Sequence, residues 1–168
     1  MPDEYRVRPA TLDDLDALVR HRLLMFTDMG IPLDADAVDC AFRSWIAEML
    51  PAGMYRAWVV DVPGGTAGVE RIVIAGGGIS ILPWPPGPRD TTGRLAFVYN
   101  VYTEREHRRR GLARLIMDAI HDWCREAGIA SLALNASADG RPLYEAMGYQ
   151  AASNPMMLFP VLTRSPFQ

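Results

Sequence analysis

Cysteine is scarce in this 168-residue chain: it has two, Cys40 and Cys124, and neither belongs to a CxxC pair. Each falls in an apolar helical pattern, so both read as reduced thiols in or near the core, ahead of a disulfide or a catalytic thiol. No metal site is expected. No run approaches the roughly 20 apolar residues that span a bilayer, and MPDEYRVRPA at the N-terminus carries no apolar leader segment. A soluble cytoplasmic protein with no membrane partner is the expectation. An excess of basic charge is also missing. The formal net charge is −3, against a general nucleic-acid binder, which would usually be strongly basic. Repeats and linkers are absent too, so residues 1–168 read as one domain. What is present is ordinary for a globular chain: 49% hydrophobic and 22% charged residues, at a length that buries roughly 70% of the unfolded surface.

Arg6-Val7-Arg8 alternates like a short strand that stops at Pro9. Thr11 reads as an N-cap with Asp13 and Asp14 in the first turn. Leu12, Leu15, Leu18, Val19, Leu23 and Phe26 then share one helical face, and Gly30 and Pro32 end the segment. A second helix is predicted over about 34–50. Val38, Ala41, Phe42, Trp45, Ile46 and Met49 form its apolar stripe. Strands follow at 55–62, 70–82 and 95–102. The triple glycine at 76–78 signals a bulge or a close backbone approach, and the proline-rich stretch 83–93 is a loop. A helix from Gly111 ends at Gly128. After it come a strand at 129–136, a short helix capped by Ser137 or Asp139, and a final hairpin from 149–152 and 156–162. The fold class is α+β: a mixed, mainly antiparallel sheet flanked by helices, in the order β-α-α-β-β-β-α-β-α-β-β, with one βαβ crossover.

The most informative stretch is 95–123, LAFVYNVYTEREHRRRGLARLIMDAIHDW. An apolar strand enters a charged turn, Arg108-Arg109-Arg110-Gly111-Leu112-Ala113, and an amphipathic helix begins there. Such a turn leaves several N–H groups unpaired and pointing one way, and the helix dipole adds to them. The result is a site for a phosphate-bearing ligand. The competing role is a solvated charge run at a helix start. Gly111 has no Cβ to hold a ligand off, and the arginines suit phosphate oxygens.

The pattern Arg108-x-x-Gly111-x-Ala113, after a strand and opening a helix, resembles the acetyl-CoA motif of the GNAT acetyltransferases, Q/R-x-x-G-x-G/A. A second block, Gly140-Arg141-Pro142-Leu143-Tyr144-Glu145-Ala146-Met147-Gly148-Tyr149, resembles that family's A-x-x-x-Y-x-x-x-G-F stretch. The first 90 residues or so match only in element order. The resemblance implies an N-acetyltransferase fold and activity, with acetyl-CoA as co-substrate and direct attack by an amine in a ternary complex. It implies that N–H groups around Arg109 to Arg114, Leu112 among them, hold the pyrophosphate. The pantetheine arm would pair with the strand near Asn100, Val101 and Tyr102. Val101 N–H would polarise the thioester carbonyl. Tyr144 would be the general acid for the leaving thiolate, with a core aromatic role as the alternative. Asn135 would contact the cofactor arm, or else cap a strand end.

The general base is less legible, because LAFVYNVYT holds no carboxylate. Glu104 is the nearest acid, a candidate base or a partner for an arginine, and a base-free route through water stands beside it. His21 and His107 read as structural or exposed. The family walls its acceptor cleft with the first two helices and the 83–93 loop. That makes Phe26, Met29, Trp45 and Trp84 candidates for an apolar pocket, with core packing the stronger role for Phe26 and Trp45. The acceptor is an amine on a small molecule or a protein, and the family's habit of pairing admits a homodimer. A non-catalytic acyl-CoA sensor of the same fold is the second reading. Nucleic-acid binding is the third and weakest. Residues 104–110 hold four arginines against two glutamates, net +2, too modest for backbone tracking.

Overall fold

Thr11 is the expected N-cap, and with Asp14 it forms a capping box around a short 3-10 turn that leads into helix α1, Leu15–Asp28. In this computed structural model, residues 5–64, 71–88 and 90–152 are described. Asp34 caps helix α2, Ala35–Met49, by accepting from Ala37 N–H at 3.0 Å. The chain forms two compact units, Met1–Asn135 and Ala136–Gln168.

The first unit is built on a five-stranded sheet: β1 (Arg6–Pro9), β2 (Tyr55–Pro63), β3 (Arg71–Pro83), β4 (Arg94–Thr103) and β5 (Leu132–Leu134). The strands lie in chain order, antiparallel except for the last pair. Helix α3, Leu112–Glu126, is the crossover that makes β4 and β5 parallel. Helices cover both faces of the sheet, and the triple glycine shows why it had to be glycine. A Cβ on Gly76 would meet the His21 ring of α1 at 3.3 Å. One on Gly77, facing the other way, would meet Ile116 of α3 at 2.9 Å. One on Gly78 would meet the Tyr55 hydroxyl at 2.4 Å and Arg56 O at 2.6 Å. Both expected signals are realised: close packing, and a register shift between Gly76 and Gly78.

On one face Leu18 and Val19 of α1 and Phe42 and Ile46 of α2 bury against Tyr55, Ala57 and Val59. On the other, Ile116, Met117 and Ile120 of α3 are fully buried. Three readings change. Leu12 is 46% exposed because it sits in the 3-10 turn ahead of the α1 stripe. Cys40 is exposed, lying off the stripe of α2, whereas Cys124 is buried and burial pushes its thiol up to about 11. The strand expected at 129–136 pairs only over Leu132–Leu134, because β4 offers it partners only from Ala96 to Val98.

In the second unit, α4 spans Arg141–Ala146 with Pro142 in its first turn. Its N-cap is Gly140, with no side-chain cap bond, not Ser137 or Asp139; Ser137 lies a turn earlier, accepting from Gly140 N–H at 3.1 Å, and its carbonyl accepts from Arg141 N–H at 3.0 Å. The Tyr144 and Tyr149 rings meet edge to face at 5.7 Å. Tyr149 to Ala152 takes no strand, and its expected partner at 156–162 lies outside the described residues.

Candidate functional site

The site begins where β4 stops behaving as a regular strand. Tyr99 pairs with Gly78 and Tyr102 with Gly76, so Asn100 and Val101 face Gly77 alone. This is a bulge, and Asn100 takes φ +55 to make it. Two residues earlier the parallel pairing with β5 ends at Val98 and Leu134. No further pairing of the two strands follows: β4 continues through Tyr99, Asn100 and Val101, whereas β5 ends at Leu134 and Asn135, exposed, lies one residue past it. Two residues of β4, Asn100 and Val101, thus stand opposite the single residue Gly77, and the regular ladder is interrupted there.

β4 runs on into the arginine turn. Arg109 and Gly111 are both left-handed, at φ +61 and +78. A Cβ on Gly111 would meet nothing within 4 Å, so it is the backbone angle, not crowding, that calls for glycine. The first carbonyl of α3 to be used is that of Gly111, which accepts from Leu115 N–H at 3.1 Å. The N–H groups from Gly111 to Arg114 therefore precede the helix ladder and point off its end. Leu112 is buried and seats this end of the helix, while Ala113 keeps the surface small.

The arginines of the turn do different jobs. Arg108 reaches back to Asp28 at the end of α1 and donates to Thr103 O at 3.0 Å. Arg105 joins it on Asp28 at 2.5 Å, and the Tyr102 hydroxyl donates to the same carboxylate at 3.0 Å. These partners, the Arg105 hydrogen bond first, hold Asp28 down to about 2. Arg110 donates to the Tyr5 hydroxyl at 2.6 Å. Arg109 and Arg114 are exposed and make no hydrogen bond or ion pair among the described residues.

Glu104 lies at the exit of β4 and ties it to α1. One carboxylate oxygen accepts from Arg20 at 2.8 Å and faces His21 Nε2 at 3.1 Å. The His21 hydrogen bond, with Arg20 behind it, keeps Glu104 below the usual carboxylate range, which weakens it as a base. His21 itself is buried. In the second unit Tyr144 is half-buried, and burial pushes its phenol above its ordinary value.

On the α1 and α2 side of the bulge there is a cavity of about 540 Å³. Phe26, Phe42, Trp45 and Tyr99 wall it, with Val38 and Ala41 as smaller faces. Its polar lining is Arg22 and Asn100. Phe26 and Trp45 thus serve the pocket, and Trp45 also packs on the core and on Tyr55, with ring centroids 4.9 Å apart. Met29 and Trp84 are 51% and 55% exposed and line no part of it. Arg22 went unnoticed in the sequence. It had a signal: it stands three and four residues from Val19, Leu18 and Phe26, a cation inside the apolar stripe of α1.

A family model described as the acetyltransferase (GNAT) family matches residues 31–149. No curated protein matches. Among solved structures, a predicted acetyltransferase with acetyl-CoA from Clostridium acetobutylicum is 26% identical, with TM-score 0.80 over 92% of this chain and 96% of that one. A GCN5-related N-acetyltransferase from Ralstonia eutropha JMP134 is 30% identical, with TM-score 0.77 over 92% and 98%. An aminoglycoside N-acetyltransferase in complex with CoA shares the fold at 16% identity, with TM-score 0.70 over 96% and 98%. Among the described residues no helix is long and apolar enough to cross a membrane.

Proposed function

Because the chain belongs to the GNAT acetyltransferase family, we propose that it moves the acetyl group of acetyl-CoA to an amine by direct attack in a ternary complex. The observation that carries this reading is the bulge at Asn100 and Val101, set just past the last β4–β5 pair, Val98 and Leu134. The pantetheine arm lies past that pair, between β4 and Asn135. The pyrophosphate lies on the N–H groups from Gly111 to Arg114, with Arg109 and Arg114 adding charge. Val101 N–H donates to the thioester oxygen, which gains negative charge as the amine adds.

The chemistry balances without a covalent enzyme intermediate. The lone pair of the neutral amine forms a bond to the thioester carbon. The tetrahedral adduct collapses and the C–S bond breaks. Tyr144 gives its phenolic proton to the departing thiolate and regains one from solvent before the next turnover. Its raised affinity for that proton keeps it protonated at neutral pH. The amide nitrogen loses its extra proton to water, because Glu104 is held as a weakly basic carboxylate by Arg20 and His21. Placing the two reactants together supplies much of the rate.

Calorimetry with acetyl-CoA, followed by thiol release over a panel of amines, tests the reading. Saturable acetyl-CoA binding and amine-dependent thiol release are expected. Binding with no turnover on any acceptor overturns the catalytic part, and no binding overturns the whole.

A further inference from the structure

The acceptor cavity has an unusual charge arrangement. Arg8, Arg20, Arg43, Arg71, Arg105 and Arg108 each meet a carboxylate. Arg22 is half-buried and, among the described residues, meets none. One terminal nitrogen donates to Asn100 Oδ1 at 2.5 Å. A guanidinium has five N–H groups, so most of its donors stay uncommitted. Its carbon lies 4.8 Å from the centre of the Phe26 ring and 4.6 Å from that of Phe42. Rings against the guanidinium fix its plane and leave its edge for in-plane hydrogen bonds. Burial lowers its proton affinity, which is the mark of a cation taken out of water without a counterion.

Resting on the acetyl-transfer reading, we propose that the acceptor is a small amine carrying a carboxylate on an apolar or aromatic body, as in the apolar α-amino acids, and that Arg22 binds that carboxylate at the floor of the cavity. The walls select the apolar body: they are aromatic and aliphatic, and the volume of about 540 Å³ suits a small molecule. No acidic side chain lines the cavity among the described residues, so a polycationic acceptor finds no partner there. A phosphate would call for more than one cation, and Arg22 stands alone. Asn100 links recognition to chemistry, since it lines the cavity and also forms the bulge beside the proposed oxyanion donor.

The test compares phenylalanine and tryptophan with their amides and decarboxylated amines, with spermidine as a polycationic control. Wild-type protein is expected to use the acids at least tenfold better in kcat/KM than the amides. In Arg22→Gln, KM for the acids should rise at least tenfold while kcat moves little and the amides are unaffected. Arg22→Lys should restore part of the loss. Ala41→Glu, at an exposed helix position lining the cavity, should repel the acids and leave acetyl-CoA affinity unchanged. Binding of each acid to the CoA-loaded protein, measured by calorimetry, reports the site without turnover. Acetyl-CoA turnover on amides or decarboxylated amines in preference to acids overturns the inference and leaves the acetyl-transfer reading standing. Loss of acids and amides alike in both Arg22→Gln and Ala41→Glu also overturns it. Arg22-dependent binding of the acids without any acetyl-CoA binding would do the reverse, sinking the reading and keeping the site.

Discussion

Around the bulge of β4, two surfaces meet that are made in different ways. Toward β5 and α3 the groups proposed to meet a ligand are main-chain: those of the bulge at Asn100 and Val101, and the N–H groups from Gly111 to Arg114. Toward α1 and α2 they are side chains: Arg22, Phe26, Phe42 and Trp45. A backbone site needs particular angles and small residues, and it holds whatever acyl-CoA presents in common. A side-chain site can be recut by substitution without touching the strand. On the proposed function, the sheet thus keeps its donor half fixed and its acceptor half adjustable. Each half predicts its own way of failing.

The largest effect is expected at the turn. Gly111→Glu puts a carboxylate where the pyrophosphate is proposed to sit and forces a side chain onto a backbone at φ +78. Acetyl-CoA affinity should fall at least a hundredfold by calorimetry, in a protein that stays folded by circular dichroism. Gly111→Ala separates the two causes, since its Cβ meets nothing within 4 Å. It should carry only the backbone strain, about 1–2 kcal/mol of stability. Unchanged affinity in a folded Gly111→Glu protein would remove the pyrophosphate from this turn.

Next comes Tyr144→Phe. General acids typically contribute from about a hundredfold upward, so kcat should drop about a hundredfold while the acetyl-CoA Kd stays. Burial raises the Tyr144 phenol above its ordinary value. The acid form is therefore kept through neutral pH, and the limb it controls appears only on the alkaline side, as the proton is lost. Equal turnover by the two proteins would leave the thiolate to be protonated by water.

A third substitution, Gly78→Ala, moves from chemistry to packing. Its Cβ would stand 2.6 Å from the carbonyl oxygen of Arg56, which is backbone and cannot swing away. Overpacking of this kind costs about 1–3 kcal/mol, to be read from the urea midpoint. Stability unchanged from wild type would mean that the sheet gives more easily than its spacing suggests.

The same division explains what could be read from sequence. The strand-turn-helix at 95–123 was legible because a backbone site constrains residue type locally: glycine at a left-handed angle, then small residues at a helix start. The cavity proposed for the acceptor draws on α1, α2 and β4, which the chain brings together across some 80 positions, from Arg22 to Asn100. No local pattern marks that meeting. The α2 stripe was read correctly as apolar, yet its first half, Val38 and Ala41, faces the cavity rather than the core. Arg108 looked like a phosphate ligand because charge is visible in sequence and its partner is not. Asp28 lies 80 residues away.

That partner gives the smallest effect, and the sharpest check on how the two halves are joined. Asp28 closes the end of α1 onto the arginine turn through Arg105, Arg108 and Tyr102. Its pKa is lowered, to about 2. The stabilisation it provides is therefore present above the unfolded-state value near 4 and is lost as pH falls through about 2. Arg105 is 71% exposed and Arg108 is 42% exposed, so solvent and salt screen the cluster and its worth is about 1 kcal/mol at most. Asp28→Asn should lower the urea midpoint slightly at pH 6 and not at all below pH 2, with the difference shrinking in high salt. It should also free Arg108 to swing toward the turn. Acetyl-CoA affinity in the Asp28→Asn protein should then hold or rise, not fall. A fall in affinity would mean that the Asp28 cluster shapes the backbone of the turn itself, and that the donor half depends on side chains after all.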